Sequence, residues 1–173
     1  MANTSNAQVV FDPAAPAISK LLRRLNSPGL MRFFYWQKLP SLSFWGVKIR
    51  FCNPFRAEVS IPFRWQTQNP FRSTYFAALC GAAELSTGVL GMIAIENRGR
   101  ISMLITNLEA NFIKKATGQT VFVCEEGDKI QQAVQAAIET KTAQQIKVTS
   151  VGSNEAGETI AVVTLTWSFK LKS

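Results

Sequence analysis

Apolar residues recur first at helical spacing. Ile18, Leu21, Leu22 and Leu25 fall three and four apart, which predicts a short helix from about Ala14 to Leu25 that Asn26–Gly29 breaks. LMRFFYWQKLP then reads as a second short helix, strongly aromatic and ended by Pro40. The period changes to two where Ala57, Val59, Ile61, Phe63 and Trp65 alternate with Glu58, Ser60, Pro62 and Arg64. Asn53-Pro54 supplies a turn, so residues 46–52 and 56–65 read as a hairpin, with Pro62 marking an edge position or a bulge.

A continuous apolar run follows from Phe76 to Ile95, capped by Ser73-Thr74 and stopped by NRGR. Beyond it, ISMLITNLEANFIKKATGQTVFVCEEGD reads as two strands about a Thr117-Gly118 turn. Ile130, Val134, Ala137 and Ile138 mark a short amphipathic helix, and two long strands close the chain around Asn154–Gly157. The expected class is α+β: an antiparallel sheet wrapped around a long central helix at about 73–96, with two extra helices ahead of it. Residues 1–13 read as a flexible arm, 14–38 as a helical extension and 40–173 as the main domain.

The long helix is apolar enough to be a membrane span, but its three glycines and central Glu84, Ser86 and Thr87 favour the core of a soluble domain. Its side chains are sorted. Ser73, Ala77, Cys80, Gly81, Thr87, Gly88 and Gly91 all fall within about 60° of Glu84, while Tyr75, Leu79, Val89, Leu90 and Ile93 lie opposite. Such a stripe lets another backbone or a slender ligand come close. A carboxylate there has two readings: a structural group that pairs with an arginine, with Arg64 and Arg72 as candidates, or caps a facing loop, or else a general base tuned by partial burial. Cys80 lies on the same stripe, but with no cationic neighbour in sequence it reads as a small core residue.

Charge and composition narrow the chemistry. The chain has no histidine, which excludes Ser-His-Asp and Cys-His nucleophiles, imidazole bases and the common zinc sites. The net charge of +8 resides in residues 1–108, favouring anionic partners; the two basic, aromatic N-terminal helices either pack across the domain or lie on a membrane surface. Three scattered cysteines and no leader-like segment point to a reducing cytoplasm. No known nucleic-acid motif appears, so nucleic acid is not an expected partner.

PFRWQTQNPFRSTYFAALCGAAELSTG, followed by NFIKKATGQTVFVCEE, resembles the hotdog fold of acyl-CoA thioesterases, in a bacterial branch of uncharacterised function. The resemblance covers roughly residues 40–170. It implies Glu84 as base or nucleophile toward a thioester carbonyl, Asn69 orienting the water or the carboxylate, and Thr87 holding either. It places the oxyanion and substrate pocket at Thr74, Tyr75, Phe76 and Ala77, with Gly81 and Gly88 on the helix. Arg72, Arg98, Arg100, Lys114 and Lys115 would meet the phosphates of coenzyme A, which enters as part of the substrate, with no separate cofactor and no metal. The family further implies a homodimer, or a pair of dimers, with acyl tunnels at the subunit boundary. One departure stands out: many such enzymes carry His-Gly-Gly before the helix, where this chain has Ser73-Thr74-Tyr75. The expected activity is acyl-thioester hydrolysis; the alternative is a non-catalytic acyl-binding protein.

Overall fold

The computed structural model describes residues 11–172, so the arm expected over 1–13 lies mostly outside the described residues. Three helices open the chain where two were expected: α1 (Pro16–Leu25), α2 (Pro28–Lys38) and α3 (Pro40–Trp45). Each starts on proline, whose missing N–H costs nothing at the first helical position. Pro40 therefore ends one helix by opening the next. Gly46, at φ +70, closes α3 in the left-handed region that glycine adopts without strain.

The sheet has six antiparallel strands: β1 (Lys48–Cys52), β2 (Ala57–Ile61), β3 (Ile101–Phe112), β4 (Thr120–Cys124), β5 (Gln144–Ser153) and β6 (Thr159–Leu171). Their spatial order is β1-β2-β4-β5-β6-β3. The β1–β2 hairpin is present but short. β2 is an interior strand that stops at Ile61, so Pro62 is neither at an edge nor in a bulge; the pairing irregularity falls in β1, between Ile49 and Phe51. Trp65, read as an inward strand residue, sits exposed in a single 3-10 turn over Trp65–Thr67.

The strands on either side of Thr117-Gly118 are not a hairpin. β3 pairs only with β6, at the edge of the sheet, whereas β4 lies between β2 and β5. The KKATG segment is thus a crossover from the sheet's edge to its interior. β5 and β6 do form the expected long hairpin, turning at Gly157.

The central helix α4 (Phe76–Ile95) lies against β2, β4, β5 and β6. It is long and apolar enough to cross a membrane, but most of it is buried within the fold. Leu79, Val89, Leu90 and Ile93 face the core, each contributing about 1.5–3 kcal/mol by leaving water. The second helix of that layer, α5 (Gly127–Thr140), buries Ile130, Val134 and Ala137. At its start Gly127 is obligatory, since a Cβ would lie 2.2 Å from the Pro54 carbonyl oxygen. The result is an antiparallel sheet curled around one apolar helix, the hotdog architecture, with a three-helix cap at the amino end.

Candidate functional site

The sheet takes the bulky side of α4, which leaves a line of half-buried residues on the other: Ala77, Cys80, Gly81 and Glu84. The stripe is not an open groove along its whole length. Leu42 and Trp45 of α3 close over Gly81, where a Cβ would lie 3.0 Å from the Trp45 ring. Met103 fills the space at Gly91. Gly88 has a different use, because its missing side chain leaves room for the Glu84 carboxylate: a Cβ there would lie 3.1 Å from Oε1, with Trp167 just beyond.

Glu84 has neither an ion pair nor a hydrogen bond to its carboxylate among the described residues. Neither Arg64 nor Arg72 pairs with it. Burial without a partner disfavours the charged form and pushes its pKa up to about 7. Its charge also reaches Tyr35 of α2, a residue that sequence reasoning passed over. Its hydroxyl is buried and lacks a hydrogen-bond partner of ordinary geometry. Burial raises its pKa, Cys52 and Glu84 add to the effect, and the Ile49 backbone opposes it. The Cys80 thiol is likewise pushed up by burial, which makes it a poor nucleophile.

The two residues expected to serve Glu84 are bound elsewhere. The Thr87 hydroxyl donates to the Glu84 main-chain oxygen at 3.0 Å and accepts from Trp167 Nε1 at 2.9 Å. It ties α4 to β6 and does not hold the carboxylate. Asn69 organises its own loop: Oδ1 accepts from the Phe71 and Ser73 N–H groups, and Nδ2 donates to Ser73 Oγ. Ser73 and Thr74 do not cap the helix. Tyr75 is the N-cap and offers no side-chain bond, while Thr74 donates through both N–H and Oγ1 to the Ala116 carbonyl.

That stitching also sorts the expected oxyanion donors. The Thr74 N–H goes to Ala116 and the Tyr75 N–H to Thr67. Phe76 and Ala77, the first two helical residues, keep N–H groups with no partner among the described residues, at the positive end of the helix. Beside them is a cavity of about 340 Å³, floored by Phe76, Leu79 and Phe112 and bordered by Lys114 and Lys115. Seven residues separate Ala77 from Glu84, about 10 Å along the axis, so one chain does not bring these donors and the carboxylate to one point.

The five expected phosphate-binding cations do not form one patch. Arg72, Lys114 and Lys115 lie near the start of α4, whereas Arg98 and Arg100 follow its end, about 30 Å away along a 20-residue helix. Arg98 is moreover buried, donating to the Ala94 carbonyl and to Gln135. Lys114 pairs with Glu158 at 2.5 Å. Among the described residues, no three of Cys, Asp and Glu cluster to hold a metal ion.

Solved structures share this architecture. PA5026 of Pseudomonas aeruginosa, described as a protein of unknown function and "Probable Thioesterase", superimposes with a TM-score of 0.72 at 20% identity, over 82% of this chain and 94% of its own. A Chlorobaculum tepidum protein of unknown function, OLEI01261, gives 0.71 at 15% identity, over 87% and 99%. Thioesterase HI1161 of Haemophilus influenzae gives 0.63 at 14%, over 85% and 93%. No curated protein matches the sequence significantly. Residues 30–169 match the family model described as a domain of unknown function (DUF4442), and the chain, a hotdog-fold protein, belongs to that family.

Proposed function

We propose that the protein hydrolyses acyl thioesters, with acyl-CoA as substrate and Glu84 as general base. The observation that carries this reading is the Glu84 carboxylate itself: half-buried, without a partner among the described residues, and pushed by burial to a pKa of about 7. A structural carboxylate in such a place has a partner, because burying a lone charge costs several kcal/mol. A base for water needs what Glu84 has, a free oxygen and a pKa near the working pH.

In the proposed reaction Glu84 takes a proton from water as its oxygen bonds to the thioester carbonyl carbon. The Phe76 and Ala77 N–H groups hold the developing oxyanion. Collapse of the tetrahedral species breaks the C–S bond, and protonated Glu84 returns its proton to the leaving thiolate. Because donors and base lie about 10 Å apart on one helix, the carbonyl takes the donors from one copy and the carboxylate from another. The long edge strand β3, with Leu104, Leu108 and Phe112 exposed along an unpaired edge, supports such a homodimer. Arg72 and Lys115 are the cations best placed for the coenzyme A phosphates. Cytoplasmic location agrees with three free thiols.

A non-catalytic acyl binder is the second reading, favoured by Tyr75 and its engaged N–H where many thioesterases of this fold have glycine. One assay separates the two: thiol release from short, medium, long and aromatic acyl-CoAs by wild type and Glu84→Gln. Turnover that falls at least ~100-fold in the variant supports hydrolysis by Glu84. Acyl-CoA binding without turnover in either protein supports the binder, and turnover that survives the substitution removes Glu84 from the chemistry.

A further inference from the structure

The inner side of α2 packs on the domain through Met31 and Tyr35, but its outer side is mostly apolar, with Gln37 its one polar residue. Leu30, Phe33 and Trp36, at successive spacings of three, are 56%, 60% and 68% exposed, and the Phe33 and Trp36 rings lie 6.4 Å apart. No charge falls within that arc. On the neighbouring α3, Phe44 is also exposed and meets exposed Trp65 edge to face. An apolar surface of this extent is the mark of an interaction site.

Charge says what it meets. Residues 13–57 contain eight Lys and Arg and no Asp or Glu. Only Arg56 of the eight has an ion pair among the described residues, and the outer side of α1 presents Lys20, Arg23 and Arg24. A second copy of the same face would set these cations against their equals. Between α2, the end of α3 and β1 lies a cavity of about 570 Å³, walled by Met31, Tyr35, Val47 and Ile49, with Arg32, Lys48 and Arg64 on its border and no acidic residue in its lining. Aromatic and aliphatic side chains ringed by cations fit the boundary between anionic headgroups and acyl chains.

We propose that the α2–α3 face docks on anionic lipid bilayers: Leu30, Phe33 and Trp36 enter the headgroup–acyl boundary, and the exposed cations Arg32 of α2 and Lys48 of β1 meet the anionic headgroups. The inference stands apart from the thioester chemistry, since it uses neither Glu84 nor the start of α4. The test is co-sedimentation of the full chain with vesicles of phosphatidylcholine alone or mixed equally with phosphatidylglycerol. Binding is expected only to the mixed vesicles and weakens as salt is added. Phe33→Ser with Trp36→Ser lowers it at least ~10-fold, and Arg32→Glu with Lys48→Glu at least ~25-fold, near ~5-fold for each lost cation. Both pairs lie on exposed positions, and an unchanged circular dichroism spectrum shows that the fold is kept. The proposal is overturned by absence of binding to mixed vesicles, by equal binding to both kinds, or by binding that ignores the Phe33 and Trp36 changes. It is equally overturned if those changes instead dissociate an oligomer in light scattering, which would assign the face to a second copy.

Discussion

Two polar neighbourhoods on α4 differ in a telling way. In the loop before the helix, Asn69 uses both ends of its amide, Thr74 both of its donors, and Ser73 answers Asn69. Two turns along the helix, the Glu84 carboxylate has no such bond among the described residues, and its charge reaches the buried Tyr35 hydroxyl, which lacks a partner of ordinary geometry. Buried polar groups are normally satisfied, so the first neighbourhood reads as architecture. The second is left incomplete at a cost in stability, the arrangement expected where a group is reserved for something that arrives later.

The largest predicted effect separates these regions by activity. Glu84→Gln lowers thiol release from acyl-CoA by about two orders of magnitude or more, whereas Asn69→Ala lowers it far less per folded molecule. Next comes stability as a function of pH. Glu84 binds its proton more tightly folded than unfolded, so its contribution to stability is present at low pH and is lost as pH rises from about 4.5 to about 7. Glu84→Gln should therefore be the more stable protein above neutrality, by up to about 3 kcal/mol, and the difference should vanish in acid; urea unfolding at several pH values measures it. Asn69→Ala has the opposite sign, a loss of about 1–3 kcal/mol at any of these pH values, because it strands the Phe71 and Ser73 N–H groups. Thr87→Val strands the Trp167 indole N–H and costs about 1–2 kcal/mol in the same experiment. Tyr35→Phe has the smallest effect on unfolding, within about 1 kcal/mol, since its hydroxyl gives up an interaction with the Ile49 backbone that falls short of ordinary hydrogen-bond geometry.

Much of this contrast was legible in the sequence. One charge in twenty apolar residues is conspicuous because burial penalises it, and the period of the small residues placed it on the right side of α4. Helices α1, α2, α4 and α5 and the β1–β2 and β5–β6 hairpins follow from local periodicity and turn residues, whereas α3 was missed because Pro40 read only as a stop. What escaped was nonlocal. Strands consecutive in sequence usually pair, so β3 and β4 read as a hairpin, and nothing near Thr117-Gly118 encodes a crossing from the sheet's edge to its interior. Tyr35 belongs to a helix whose own pattern does not say that it packs against α1, α3 and β1. Arg98 and Arg100 read as neighbours of Lys114 until the length of α4 set them at its far end.

The dependence of kcat/KM for acyl-CoA hydrolysis on pH tests the central claim most directly. A base with the Glu84 environment predicts a rate that rises through a midpoint near pH 7 and levels above it, with that limb lost in Glu84→Gln. A rate that is flat across neutral pH, or a rising limb that the substitution leaves in place, would contradict the assignment of Glu84 as the base.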